Sequence, residues 1–172
     1  ATLAMAALLS VRTIDGAQVP RAEYHALLLL AATGMMLAAS ALDLLTLYLA
    51  LELMTLCSYI LVGATVESPM SNEAAIKYFL LASFASALLL YGISLTYGVT
   101  GSTDFAAITS ALSEQGVSAN PLLLVAVGLV TAGLAFKIAA VPFHAWAPDA
   151  YQGAPPPVAA FLAAGAKAAG LA

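Results

Sequence analysis

Three long apolar segments, separated by short polar stretches, constrain this chain more than any other feature of its sequence. They cover residues 24–41, 42–63 and 72–98. Each is close to the ~20 residues that an α-helix needs to cross the ~30 Å hydrocarbon core of a bilayer. Because hydrocarbon offers no partners to the backbone, a helix must satisfy its amides and carbonyls internally. The sequence therefore predicts an all-α membrane protein, built as a multi-span helical bundle.

The composition supports the same class. Hydrophobic residues make up 63% of the 172 residues and charged residues 8%, with a mean hydropathy of +0.99. A soluble domain carries roughly 25% charged residues, so lipid is the expected surrounding. No basic patch is present, and nucleic acid is therefore not an expected partner. The chain also has no cysteine cluster, no histidine pair at haem spacing and no glycine-rich phosphate loop, which argues against redox or hydrolytic chemistry on it.

The remaining segments complete one predicted membrane domain. Both ends lie in apolar stretches, so we expect the sequence to be a piece of a longer membrane protein. Loop Lys and Arg favour the cytoplasmic side, which places the side with Arg12 and Arg21 there. The predicted elements are the tail of a transmembrane helix at 1–11, loops at 12–23 and 99–120, a broken transmembrane helix at 121–147, a rigid loop at 149–156 and a truncated transmembrane helix at 157–172. The 99–120 loop is expected to hold a short amphipathic helix in "STDFAAITSALSEQG".

Ionisable side chains recur near the middle of successive apolar segments. A charge near the bilayer centre costs about 3 kcal/mol on insertion scales, and such residues commonly mark ion or proton pathways. All of the candidates are protonatable and none is an arginine, whose charge is fixed. They are Glu52, Lys77, Lys137, His144 and Lys167.

Two local arrangements suggest how these groups work together. Glu52 and Lys77 lie on consecutive antiparallel spans and differ by ~9 Å in depth, so we expect them to pair. Pro142 removes a backbone donor and must break the helix that carries Lys137. A broken helix at membrane depth is tolerated only where protein or water covers the freed backbone groups. The pattern predicts a lateral proton relay through the membrane midplane, with water near the break.

Three stretches resemble a known family. They are "DLLTLYLALELMTLCSYILVG", "SNEAAIKYFLLASFASALLLYGISLTYG" and "GLAFKIAAVPFHAWAPDAYQGAPPPV". They are similar to the antiporter-like membrane subunits of NADH:quinone oxidoreductase, respiratory complex I, above all those of the subunit N (NADH dehydrogenase subunit 2) type. The resemblance runs from about Glu23 to the end of the chain. Ala147 and Pro156 stand where threonine is common, and neither change removes an ionisable group.

The resemblance implies a fold and a role for each candidate residue. The family fold has two inverted five-helix repeats, and this chain would cover roughly the first, with its discontinuous helix near Pro142. Glu52 would match the family's essential glutamate, and Lys77 its partner lysine on the next helix. Lys137 would match the lysine of the discontinuous helix. The remaining two would be a bridging histidine, His144, and the lysine that leads to the central hydrophilic axis, Lys167.

The same resemblance implies a function. The chain would belong to a proton-translocating subunit of complex I in the bacterial inner membrane, driven by quinone reduction elsewhere in the complex. Separation of Lys77 from Glu52 would then push the proton of Lys137 onward. No redox site is expected on this chain. NADH, FMN, iron–sulfur clusters and quinone are expected on partner subunits, among them antiporter-like neighbours and small membrane subunits.

Two alternatives stay open on the sequence alone. The multisubunit Mrp-type sodium/proton antiporters share the same buried Glu–Lys–Lys pattern. A purely structural bundle could also use buried charges to fix helix register, although five such groups would be a costly way to do so.

Overall fold

The structure, a computed structural model, describes residues 2–16, 19–115 and 120–171. Within these ranges the ordered elements are helical. Three of the helices are long and apolar enough to cross a membrane: α2 (Arg21–Ala39), α3 (Leu44–Val62) and α4 (Pro69–Thr100). In chain order the helices are α1 (Thr2–Gly16), α2 (Arg21–Ala39), α3 (Leu44–Val62), α4 (Pro69–Thr100), α5 (Phe105–Gln115), α6 (Pro121–Lys137), α7 (Trp146–Gly153) and α8 (Pro156–Phe161), which continues through a π-helical turn (Leu162–Ala166) into α9 (Lys167–Leu171).

Side-chain caps fix where α3 and α4 begin. Asp43 Oδ1 accepts hydrogen bonds from the backbone N–H groups of Leu45 at 2.9 Å and Thr46 at 2.8 Å. Such an N-cap satisfies amides that have no partner inside the helix. The cap explains why only a short turn separates α2 from α3. Ser68 caps α4 in the same way, with Pro69 at its first position.

Several predicted boundaries are wrong near the membrane surface. The loop expected at 12–23 is mostly helical, because α1 continues to Gly16 and the Pro20 carbonyl accepts the amide of Tyr24 at 3.0 Å, starting α2 at Arg21. Polar residues outside the hydrocarbon are solvated and do not by themselves end a helix, whereas glycine does so readily. Residues 17 and 18 and the side chain of Arg12 lie outside the described part.

The other polar stretches also carry more helix than expected. Helix α4 begins three residues before the predicted 72–98 span and extends to Thr100. Helix α5 lies within the predicted 99–120 loop, where a short helix was expected, and residues 116–119 lie outside the described part. Residues 149–153, expected in a rigid loop, belong to α7. Asp149 stands in the first turn of α7, where a carboxylate interacts favourably with the helix dipole.

Two backbone hydrogen bonds tie the α2–α3 turn to the α4–α5 connection. The amide of Leu44 donates to the Thr103 carbonyl at 2.9 Å, and the amide of Phe105 donates to the Leu42 carbonyl at 3.1 Å. These bonds place both connections on one side of the bundle. The ends of α3 and α4 that flank residues 63–68 therefore lie on the opposite side, together with the start of α2.

Glycines allow the helices to approach closely. A Cβ atom on Gly34 would lie 2.7 Å from the backbone nitrogen of Met54, which brings α2 against α3. A Cβ atom on Gly133 would lie 2.5 Å from the Cβ of Leu89, which brings α6 against α4. Small residues at helix contacts are typical of membrane bundles, where close packing rather than the hydrophobic effect holds helices together. The α4–α6 contact matters most, because it positions the end of α6.

This packing predicts a specific sensitivity at Gly133. In the full-length subunit, Gly133→Val should destabilise the fold by about 1–3 kcal/mol, since overpacking forces the two backbones apart. Gly128→Val on the same helix is the matched control, because a Cβ atom there meets no described atom within 4 Å. Thermal unfolding of the two purified variants is the measurement. Equal losses of stability in both would contradict the close α4–α6 contact.

Candidate functional site

The helix break lies where the sequence predicted it, and it starts before the proline. Helix α6 ends at Lys137, and residues 138–145 form turns that contain Pro142. Ala139 has a left-handed backbone, with φ at 55°. The amide of Ala140 donates to the Ala135 carbonyl at 2.9 Å. This is a Schellman-type helix end, in which glycine is usual at the left-handed position. Alanine there costs roughly 1–2 kcal/mol, so the surrounding packing must hold the break in place.

Trp146 bridges the break. Its indole Nε1 donates to the Phe136 carbonyl at 3.0 Å, which covers one of the acceptors freed at the end of α6. Its ring stacks on Tyr78 of α4, with centroids 4.5 Å apart and an interplanar angle of 11°. The ring also stacks on Phe136 at 5.5 Å. Trp146 is the first residue of α7. It thus connects α7 to α4 through Tyr78 and to the end of α6 through Phe136.

The ammonium of Lys137 is buried among three helices and is fully bonded. Its side chain is 1% exposed. Nζ donates to Glu52 Oε1 at 3.2 Å, to Thr55 Oγ1 at 3.2 Å and to Ser86 Oγ at 3.3 Å. A lysine ammonium has three N–H donors, and each one has an acceptor here. Glu52 and Thr55 lie on α3, one turn apart, and Ser86 lies on α4.

The acceptors are themselves held in place. Ser86 Oγ donates to Glu52 Oε1, so the same hydroxyl links both charged groups. Thr55 Oγ1 donates to the Leu51 carbonyl at 2.6 Å, which aims its lone pairs at Lys137. A buried ion pair is tolerated when further hydrogen bonds complete the two charges, and removal of one partner typically costs 3–5 kcal/mol. Lys137 is also the last residue of α6, where a cation interacts favourably with the helix dipole.

The predicted Glu52–Lys77 pair is wrong. Lys77 instead pairs with Glu73 at 2.7 Å and with Asp149 of α7 at 3.2 Å, and its side chain is 45% exposed. Lys77 and Ser86 are nine residues apart on α4, which places them about half a turn apart in direction and ~13 Å apart along the axis. The face of α4 that reaches Glu52 therefore presents Ser86. The lysine that reaches Glu52 is Lys137 of α6, and α6 does not directly follow α3 in the sequence.

His144 is not brought together with Lys137. Its side chain is exposed on the turn segment between α6 and α7, and no ring hydrogen bond or ion pair with another described residue is present. Residues seven apart share a face only in a continuous helix. Because α6 ends at Lys137, that spacing does not apply here.

Lys167 lies close to the end of α6. Its Nζ stands 5.5 Å from the ring centroid of Tyr151, within cation–π range. One turn further along α9, a Cβ atom on Gly170 would lie 2.7 Å from the side chain of Ile138 and 3.8 Å from the Cβ of Lys137. Helix α9 thus packs against Lys137 and Ile138 at the end of α6. The π-helical turn Leu162–Ala166 immediately precedes Lys167, and such turns are frequent at functional sites.

Sequence reasoning missed the uncharged members of the site. The signal for Thr55 was its place three residues after Glu52, on the same helix face. The signal for Ser86 was weaker, because a single serine in an apolar span commonly bonds its own helix backbone. Asp149 and Tyr151, the partners of Lys77 and Lys167, were read only as part of a motif. Their contacts depend on how α7 folds back against its neighbours.

Comparison with known proteins gives a consistent result. Residues 41–172 match the sequence family described as "NADH:quinone oxidoreductase/Mrp antiporter, TM". Proteins named NADH-quinone oxidoreductase subunit N are 46% identical over 98% of this chain in Trichlorobacter lovleyi and 54% identical over 90% of it in Desulfitobacterium hafniense. The matches cover 34% and 31% of those proteins, so the chain spans about a third of the length of the curated relatives it matches.

Solved structures agree. A chain in the respiratory complex I of Thermus thermophilus aligns with a TM-score of 0.78 and 41% identity, covering 99% of this chain and 37% of that one. A chain of the Mrp complex from Dietzia aligns with a TM-score of 0.76 and 28% identity, covering 99% of this chain and 32% of that one. The antiporter-like membrane fold is therefore common to both kinds of complex, and the chain is an integral membrane protein.

The hydrogen bonds of the site predict that Ser86 on α4 contributes more to stability than Ser58 on α3. Ser86→Ala should destabilise the full-length subunit by about 1–3 kcal/mol, because it leaves a buried ammonium and a carboxylate short of a partner. Ser58→Ala is the matched control, since among the described residues the Ser58 hydroxyl bonds only the Met54 carbonyl of its own helix, at 2.7 Å. Thermal unfolding in detergent compares the two. A larger loss for Ser58→Ala would contradict the bonding of Lys137 described above.

Proposed function

This chain belongs to the NADH:quinone oxidoreductase/Mrp antiporter transmembrane family, and on that premise we propose that it is part of a proton-translocating membrane subunit of an NADH:quinone oxidoreductase. In this proposal the subunit relays protons through buried side chains, and quinone reduction elsewhere in the complex supplies the energy. The relatives named subunit N, at 46% and 54% identity, support that branch of the family.

The observation that carries the proposal is the Lys137 ammonium, 1% exposed and bonded to Glu52 where a membrane helix ends. A purely structural bundle could achieve the same packing with apolar residues at lower desolvation cost, since replacing buried ion pairs by apolar groups is often neutral or stabilising. Intramembrane ionisable residues typically serve transport. Lysine can give up its proton, whereas arginine in its place could not.

We assign the relay to Glu52, Lys137 and Lys167, in that spatial order. The packing of α9 against Lys137 and Ile138 supports the step from Lys137 to Lys167. His144, exposed on the intervening turn, keeps its predicted role as a bridging group that acts when the rest of the subunit covers this surface. Water is the natural carrier across gaps that exceed hydrogen-bond length.

The Glu52–Lys137 pair offers a simple means of coupling. Two opposite unit charges ~4 Å apart attract by about 4 kcal/mol at an effective dielectric of ~20. A charge change at the neighbouring subunit that draws Glu52 away would remove this attraction and release the proton of Lys137. Ser86 is hydrogen-bonded to both groups, so its hydroxyl would keep the bond to one of them when they separate. This replaces the sequence-based mechanism, in which Lys77 was the partner that moves.

The redox chemistry belongs, in this proposal, to other subunits. NADH, FMN, iron–sulfur clusters and quinone would all bind there, and this chain would contribute proton transfer only. Its partners would be other membrane subunits of the complex together with the lipid bilayer, in a bacterial inner membrane. The relatives with subunit N names come from bacteria, which supports that location.

A subunit of an Mrp-type sodium/proton antiporter is the second candidate. The TM-score of 0.76 to the Dietzia Mrp chain favours it. The identity to that chain is 28%, against 41% to the Thermus complex I chain. Sodium transport that continues in the absence of NADH and quinone would support the antiporter over the oxidoreductase.

The proposal predicts that Lys137 is indispensable for proton transfer. In the assembled complex with the full-length subunit, Lys137→Met should lower NADH-driven proton uptake into vesicles by at least about tenfold, equivalent to ~1.4 kcal/mol or more on the barrier. Lys137→Arg should fail similarly, because its charge is retained but its proton is not released. Ser58→Ala serves as the control for an altered buried residue. Native gels check assembly, and normal proton uptake by assembled Lys137→Met would refute the proposal.

A further inference from the structure

Helix α7, the short segment after the break, is fastened to α4 at three points along its length. Trp146 stacks on Tyr78 at its start. Asp149 pairs with Lys77 at 3.2 Å one turn later. At its end, a Cβ atom on Gly153 would collide with Ala74. Of these three contacts, the Lys77–Asp149 ion pair is the one that charge substitutions can test.

Lys77 sits in a polar surface pocket and not in the buried site. The pocket is lined in part by Glu73, Lys77, Asp149 and Gln152. The side chains of Lys77 and Asp149 are 45% and 44% exposed. Lys77 is therefore bonded to two carboxylates at the protein surface. The hydroxyls around Lys137, from Thr55 on α3 and Ser86 on α4, form a separate cluster. Nothing in its surroundings resembles the closed bonding of Lys137.

The contacts of α7 nevertheless reach Lys137. Asp149 and Trp146 are three residues apart on the same short helix, so they lie on one face and move together. Trp146 holds the Phe136 carbonyl at 3.0 Å, and Phe136 directly precedes Lys137. The Schellman-type end at Ala139 has an unfavourable left-handed alanine, so it needs outside support. A shift of α7 would thus be felt at the end of α6.

We propose that Lys77 is a positioning residue: through Asp149 it holds α7 against α4, and through Trp146 this fixes the end of α6 that presents Lys137 to Glu52. Lys77 then carries no proton itself. The proposal deepens the proposed function and rests on it for its transport readout. It also gives Lys77 a different role from the proton carrier that its place in the membrane suggested from the sequence.

The two roles of Lys77 make opposite predictions for arginine. A proton carrier must release its proton, which arginine does not do. A positioning residue needs only a long cation that reaches Asp149, and arginine pairs well with carboxylates. We therefore expect Lys77→Arg to keep most of the NADH-driven proton uptake, whereas Lys77→Met lowers it about two- to fivefold, the range expected from the loss of an exposed ion pair.

A double-mutant cycle completes the test in the assembled complex. Asp149→Asn should lower proton uptake as much as Lys77→Met, and the Lys77→Met/Asp149→Asn double variant should be no worse than either single variant. The melting temperatures of the same four proteins report the coupling without reference to transport. Lys137→Arg, measured alongside, reports the proposed function separately.

The outcomes separate the possibilities. Retained uptake in Lys77→Arg with non-additive losses in the cycle supports the positioning role. Loss of uptake in assembled Lys77→Arg, unchanged uptake in Lys77→Met, or additive effects of Lys77→Met and Asp149→Asn would each overturn it. Normal uptake in Lys137→Arg would refute the relay instead, and the coupling in melting temperature would still decide whether Lys77 holds α7.

Discussion

The need to satisfy one buried ammonium organises this structure. Lys137 has three donors and no access to bulk water, so three acceptors must converge on it from the neighbouring helices. Glu52 and Thr55 supply two of them from α3, and Ser86 supplies the third from α4. That convergence requires α4 and α6 to approach closely, which Gly133 permits. The polar site and the small-residue packing are therefore two aspects of one arrangement.

The helix break serves the same end. A continuous helix would keep its backbone bonds inside the membrane, whereas an interrupted one leaves carbonyls that need partners. The Phe136 carbonyl is bonded by Ala139 and by Trp146, so the break is covered by protein. Ending α6 at Lys137 places the cation at the negative end of the helix dipole. After the turns, α7 packs against the N-terminal half of α4, whereas α6 packs against its C-terminal half.

The sequence predicted the spans and the break because these depend on local properties. Apolar length reports the helices, and Pro142 marks the interruption. The pairing of Glu52 could not be read in this way, since Lys77 is nearer in sequence, while Lys137 lies 85 positions away. Neighbourhood in a bundle depends on packing contacts such as Gly133–Leu89, which a single sequence does not rank. Ser86 was missed because a single serine in an apolar span commonly bonds its own helix backbone.

The most direct test is the number of protons moved per NADH oxidised by the assembled complex, measured for Glu52→Gln, for Lys137→Met and for both changes together. Residues that act as a unit give non-additive losses. If Glu52 and Lys137 work as one pair, all three variants should lower the number of protons moved per NADH by the same amount. Independent, additive losses, or a normal ratio in any of the three, would contradict the account.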